Sequence, residues 1–341
     1  MLDKSKIKLS VTPIAAPTEP KIMGKPVLMT DSRILNLNSG FKHKYLCTGP
    51  TFSCGTACAY KCAYCFVEAQ VGTKPFVTNV LKGRNFQDVV IRRNDAVNKL
   101  RVELRTARGE LKFKMATGVI YGSPLVDIAA TEELTKETVE IVQVLLQDTG
   151  WEVRLLSKSP LIRKIADSLS KDQKNRVIFG LSTGTIDDEI ARAIEPACPA
   201  ASKRCEALRW LQDNEFRTFA MLCPIMPQPM DQFIEKMKDL IRPERCEHVW
   251  AEIINVRGLS MQKTIAGLER AGLHQAAADL GAVSGEGKKP AWEKYARDTF
   301  QALVKVVPRN ADGPKLRFLQ YVNKSSSSLW EQHVAHGAVL L

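Results

Sequence analysis

The chain has 341 residues, 45% of them apolar and 25% charged, which excludes the disordered and membrane-spanning classes and leaves room for one large domain or two ordinary ones. Lys and Arg number 49 against 37 Asp and Glu, and the resulting charge of +12 either draws polyanions, nucleic acid first among them, or simply solvates a basic surface. No run is long enough to cross a bilayer, and MLDKSKIKLSVTPIAAP lacks the apolar stretch of a secretory leader, so a cytoplasmic protein with no membrane partner is expected.

Residues 1–35 hold Pro13, Pro17, Pro20 and Pro26 with little apolar periodicity and read as an extended N-terminal arm. A first strand is expected near His43 to Cys47, directly before CAYKCAYCF at 58–66. DVVIRRN (88–94) reads as another strand, followed by a basic helix through Ala107. Short β-branched or apolar runs then recur at TGVIYG (117–122), WEVRLLS (151–157), RVIFGLS (176–182), FRTFAML (216–222) and HVWAEII (248–254). Between them lies helical spacing: in TEELTKETVEIVQVLLQDTG (131–150), Leu134, Val139, Val142, Leu145 and Leu146 fall largely on one face before Gly150 closes the helix. Beyond Gly258 come a helix near 261–281, a break at SGEGKKP (284–290), a helix from Trp292, a strand at KLRFLQYV (315–322) and a serine loop at Ser325–Ser328. Trp330 to Leu341 carries no motif.

This rhythm predicts βα units with right-handed crossovers in a parallel sheet, either a partly closed barrel or an open doubly wound sheet. In both, ligands gather at the carboxyl ends of the strands. The exits there are YGSP (121–124), SKSP (157–160), STGT (182–185), LCPIMP (222–227) and NVRG (255–258).

Nine cysteines in a reducing compartment point to metal ligation or chemistry rather than disulfides. Cys58, Cys62 and Cys65 are clustered as C-x3-C-x2-C, whereas Cys47, Cys54, Cys198, Cys205, Cys223 and Cys246 are scattered. Structural zinc takes four closed ligands, so a zinc site would need Cys47 or Cys54 as well. A four-iron cubane held by three thiolates keeps one iron open for a small chelating ligand.

C-x3-C-x2-C with Tyr64 before the third cysteine, early in a βα chain, resembles the signature of the radical S-adenosylmethionine superfamily. The succession YGSPLVDIAATEEL, LLSKSPLI, FGLSTGTIDDEIARAIEPACPAASKRCEALRWL and MLCPIMP is similar to the spore photoproduct lyase family and its DNA-repair-photolyase-like relatives over roughly residues 40 to 258. The resemblance implies an α/β fold with a partial (β/α)6 barrel of parallel strands at 36–258. The arm at 1–35 would precede it, and a helical and strand extension at 259–341 would pack on it. It implies a [4Fe-4S] cluster on Cys58, Cys62 and Cys65 that cleaves S-adenosylmethionine to a 5′-deoxyadenosyl radical. Ser123, Lys158 and Ser182 would position the cosubstrate together with Tyr64. A nucleic-acid base, in DNA above all, would be the substrate, and reduced flavodoxin or ferredoxin the electron donor.

Lyases of that family carry a cysteine hydrogen donor two positions before the serine, where this chain has Tyr121. Tyr121 would then relay a hydrogen atom or pack as a barrel aromatic, and Cys223 is a second donor candidate or a buried inert thiol. Glu252, Asn255 and Arg257 would offer polar groups to a substrate, and the basic stretch 92–114 would contact phosphates or lie on a solvated face. The alternatives are a radical enzyme acting on a peptide or small metabolite, and a non-enzymatic zinc or iron–sulfur protein that binds nucleic acid.

Overall fold

The computed structural model of the protein describes residues 20–122, 124–254, 259–285 and 287–341. Ser123, Asn255 and Arg257 lie outside the described residues.

One nine-stranded sheet organises the molecule. Its strands are β1 (Leu35–Asn36), β2 (Thr51–Phe52), β3 (Val119–Gly122), β4 (Glu152–Ser157), β5 (Val177–Ser182), β6 (Arg217–Ile225), β7 (Val249–Ile253), β8 (Leu316–Gln320) and β9 (Ala338–Leu340). They lie side by side in chain order, so each connection moves one strand over without reversal. Every pairing is parallel except β1 with β2. Ala220 of β6 sits opposite both Leu181 and Val249, and the register with β7 shifts between Leu222 and Ile225, where Pro224 has no N–H to offer.

The two faces differ. Val153, Leu155, Val177, Phe179, Ala220, Leu222, Val249, Ala251 and Phe318 point into the main core, against helices Glu132–Asp148, Ala201–Asp213, Met230–Ile241 and Lys289–Val306. Alternate residues point the other way. Tyr121, Ile178, Phe219, Met221, Trp250, Leu319 and Val339 form a second cluster whose remaining buried members, Leu46 and Cys47, come from the segment before β2. Helices therefore cover one face among the described residues, unlike a doubly wound sheet, which carries them on both.

Several expectations are corrected. The segment 43–47 is not a strand, because its carbonyls are drawn inward: Trp250 Nε1 donates to Lys44 O at 2.8 Å and Arg154 Nη1 to Leu46 O at 2.8 Å. Tyr45, with φ +57°, is left-handed, and the strand falls later, at β2. DVVIRRN does form a strand, Val90–Arg93, but it belongs to a separate four-stranded sheet with Lys21–Ile22, Lys25–Thr30 and Gly55–Ala57. That sheet therefore takes in part of the proline-rich arm, and Gly55–Ala57 feeds straight into Cys58.

The helix expected at 261–281 is two, Ser260–Arg270 and His274–Ala282, because Gly272 turns the chain at φ +76°. The serine run opens a short helix, Ser327–Glu331, anchored by fully buried Trp330, which stacks on Phe318 at 5.8 Å. The tail that showed no motif supplies edge strand β9.

Candidate functional site

The exits of β4 and β5 build the first part of the site. Asp127 accepts from Ser157 Oγ at 2.6 Å, from the Lys158 amide at 2.6 Å and from the Ala129 amide at 3.0 Å. Burial raises its pKa, and the three donors oppose that rise. The turn so fixed sends the Lys158 side chain across to β5, where Nζ donates to Ser182 Oγ at 3.0 Å. The same ammonium stands 5.7 Å from the Tyr64 ring centroid and 3.8 Å from Glu195 Oε1. Glu195 Oε2 is held by Arg204 in a short contact, and both side chains are almost wholly buried. Two cations thus face one carboxylate at this corner. The Tyr64 hydroxyl and Glu195 Oε1 are buried without a hydrogen bond among the described residues.

The cysteine loop meets this corner directly. The Ala63 amide donates to Ile194 O at 2.8 Å, which ties residues 58–66 to the turn carrying Glu195 and Cys198. Cys58, Cys62 and Cys65 are all free thiols of intermediate exposure. Burial and then the neighbouring Cys62 and Cys65 push the Cys58 thiol up to about 12, and burial and Cys62 push Cys65 up to about 11. Cys58 and Cys65, which resist ionising where they lie, need a cationic centre beside them to become thiolate ligands, which is the electrostatic condition a metal cluster meets. The donor set fits a cubane held at three corners. Cys47 and Cys54 do not join it: Cys47 packs with Leu46 and Tyr121, and Cys54 lies in the main core.

Cys198 is scattered in sequence, yet its Sγ is 3.7 Å from Cys62 Sγ. With Glu195, these two form the compact group of potential metal ligands among the described residues. Sequence reasoning also missed Glu195, Arg204 and Asp127. Asp127 was a visible turn signal, its carboxylate accepting from the amide two residues on, but Arg204, inside an otherwise charged helix, looks like a solvated residue.

Further along the same edge, Cys223 on β6 is pushed up to about 12 by burial and then by Glu252, whose Oε2 lies 3.9 Å from its Sγ. Ser182 Oγ donates to Cys223 O at 3.5 Å, linking the two halves of the edge. Glu252 pairs with Lys44 Nζ at 3.4 Å, and Lys44 donates to Tyr321 Oη at 3.0 Å. Close approach shapes the floor here, because a Cβ on Gly184 would fall inside the Pro224 carbonyl. Tyr121 is 2% exposed and packs 5.5 Å from Phe41, and burial holds its phenol protonated.

The basic stretch 92–114 spends much of its charge internally. Arg92 pairs with Glu137 at 2.8 Å, Lys99 with Asp31 at 2.7 Å and Arg105 with Asp148 at 2.8 Å, and Arg93 donates to Arg33 O and Gly55 O. A surface hollow of about 460 Å³, lined by Asp231, Lys238, Ala302 and Lys305, contains none of the residues of this edge.

Fold and site together define a mixed α/β protein with a largely parallel sheet and a thiol-bearing loop at the strands' carboxyl edge. Solved structures of spore photoproduct lyase share that fold: a cysteine-to-serine mutant of that enzyme aligns with TM-score 0.56 at 11% identity over 86% of this chain and 81% of its own. A double mutant of the same lyase, with bound AdoMet and dinucleoside spore photoproduct, aligns with TM-score 0.54 at 9% identity over the same shares. By sequence, the chain is 24% identical to the uncharacterized protein ORF301 of Acidianus two-tailed virus over 254 residues, 70% of this chain and 78% of that protein. It is 30% identical to the uncharacterized protein MJ0683 of Methanocaldococcus jannaschii over 122 residues, 36% of this chain and 46% of that one. No protein-family model matches. No helix among the described residues is long and apolar enough to cross a membrane.

Proposed function

We propose that the protein is a radical S-adenosylmethionine enzyme with a partial (β/α)6 barrel, acting on a nucleic-acid base. The observation that carries this reading is the meeting of the three-cysteine loop with Lys158, Ser182 and Tyr64 at one strand edge. Cys58, Cys62 and Cys65 hold a [4Fe-4S] cluster. When bound, the cluster supplies the electron that cleaves the sulfonium C–S bond of S-adenosylmethionine, reduced in turn by flavodoxin or ferredoxin.

The rest of the work belongs to the chain. Lys158 places a point charge for the cosubstrate carboxylate, and Arg204 occupies Glu195 so that the carboxylate does not absorb that charge. Ser182 offers a hydroxyl to the ribose, and Ser123 would be a further cosubstrate contact. The buried Tyr64 hydroxyl gives an unspent donor beside them. Cys223 holds its hydrogen as an un-ionised thiol, the state a hydrogen-atom donor needs, and Tyr121 lies behind it as a packed phenol. Helices on one face of the sheet and the 41–47 segment on the other bury the strands that carry these residues.

The test is anaerobic: reconstituted protein given dithionite and S-adenosylmethionine should release 5′-deoxyadenosine, and none would end the reading. DNA carrying thymine photoproducts is the first substrate to try. The inward pairing of Arg92, Arg93, Lys99 and Arg105 favours, as a second reading, a peptide or small metabolite in place of a polyanion. Oligonucleotide binding across a salt series separates the two, since phosphate contacts give a steep salt slope.

A further inference from the structure

The contact between Cys62 and Cys198 has no part in the function proposed above, although it joins a cluster ligand to a cysteine 136 residues away. Their meeting is held by the backbone as well as by the sulfurs. The Ala63 amide binds Ile194 O at 2.8 Å, the Cys198 amide binds Glu195 O at 2.9 Å, and Arg204 Nε binds Pro199 O at 2.8 Å. With the buried Arg204–Glu195 pair, these bonds clamp the turn at 195–199 against the cysteine loop.

Two thiols 3.7 Å apart suit either a shared metal ion or a disulfide. The separation matches the roughly 3.8 Å edge of a tetrahedron with zinc–sulfur bonds of about 2.3 Å. The third ligand decides between them. Glu195 is the other ligating group within 4.8 Å, but its oxygens face Arg204 and Lys158, and two adjacent cations oppose a metal ion there. A disulfide needs no third group. It asks that the sulfurs close from 3.7 Å to about 2.05 Å, with whatever side-chain and backbone adjustment disulfide geometry requires.

We propose that in the cluster-free chain Cys62 and Cys198 close a reversible disulfide that withdraws Cys62 from the cluster's ligand set. The oxidant is a low-molecular-weight disulfide such as oxidised glutathione. One thiolate attacks it and releases one glutathione thiol, then the second cysteine attacks the mixed disulfide and releases the other. Two electrons and two protons leave the pair and appear in two glutathione molecules. Reduction by a dithiol reverses both steps. Cluster-loaded protein is protected, because Cys62 is then committed to iron, so the switch acts on the unassembled chain. The consequence for assembly rests on the radical reading, whereas the bond itself does not.

The experiment treats full-length, cluster-free protein with oxidised glutathione, blocks remaining thiols by alkylation and maps proteolytic peptides by mass spectrometry. The expected product is a peptide pair joining Cys62 to Cys198, present in wild type and in the Cys205→Ser control and absent in Cys198→Ser. Oxidised wild type should lose iron uptake and regain it with dithiothreitol, while Cys198→Ser keeps uptake after the same treatment. Thermal unfolding of Cys198→Ser and Cys198→Ala, compared with wild type, confirms that both variants are folded. Pairing of Cys62 with Cys58 or Cys65, a stable glutathione adduct on Cys62, or equal loss of uptake in folded Cys198→Ser would each overturn the proposal. Should the reduced chain take up no iron, the radical reading fails, and the peptide map still decides the disulfide.

Discussion

Two lysines stand at the same sheet edge in opposite electrostatic situations. Lys44 meets Glu252 and Tyr321, and although burial pulls its pKa down, the Glu252 carboxylate and the Tyr321 hydroxyl with their neighbours together outweigh it and the net shift is upward. Lys158 also faces a carboxylate, but Arg204 already occupies Glu195, and the nearby buried Asp127 is engaged by Ser157 and the Lys158 amide. Glu252 approaches Lys44 within 3.4 Å, whereas Glu195 is divided between Lys158 and Arg204. Under the proposed reading, this difference favours Lys158, beside the thiols, over Lys44, beside Cys223, as the partner of an anionic cosubstrate.

The strongest way to break this comparison is to remove a thiol. Cys58→Ala, Cys62→Ala or Cys65→Ala should abolish cluster uptake and all 5′-deoxyadenosine formation, read as iron content and product after anaerobic reconstitution; a variant that keeps both would remove the thiol loop from the account. Next comes the buried pair. Arg204→Met leaves buried Glu195 with only the more distant Lys158 ammonium and should cost about 3–5 kcal/mol of stability in a denaturant titration, whereas Arg204→Met with Glu195→Gln should recover most of it.

Smaller effects sharpen the contrast between the lysines. Lys158→Met should weaken S-adenosylmethionine binding to the cluster-loaded protein by about 1.5–3 kcal/mol, the worth of a hydrogen bond to a charged group. Lys44→Met should leave that affinity unchanged, and equal losses in the two variants would erase the distinction. The last contrast is a pH slope. Burial and then Arg317 hold His248 down to about 4 from 6.5, so below pH 6.5 the unfolded chain takes a proton that the folded chain refuses. Stability should fall as pH drops from 6.5 towards 4, and His248→Phe should flatten that part of the profile in thermal melts.

The strands β3 to β8 were legible because each is an apolar run of usable length between turn residues. Two-residue β2 and three-residue β9 carry no periodicity, and the stretch that imitated a strand at 43–47 is bent by Arg154 and Trp250, which lie more than a hundred residues further on. Val90–Arg93 read correctly as a strand, but no local pattern could place it in the second sheet, because its partners are Lys25–Thr30 and Gly55–Ala57. In the site, the C-x3-C-x2-C spacing marked the thiol loop, and the strand exits marked Lys158 and Ser182. Cys198, Glu195 and Arg204 stayed hidden, since their meaning comes from the turn that carries them beside Cys62.

The most direct test of the site at Lys158 and the thiol loop is the electron paramagnetic resonance spectrum of the reduced, reconstituted protein with and without S-adenosylmethionine. The account predicts a cluster signal that shifts on addition of the cosubstrate and does not shift in Lys158→Met at the same concentration. An unchanged spectrum in wild type, or a protein that holds zinc and no iron, would contradict it.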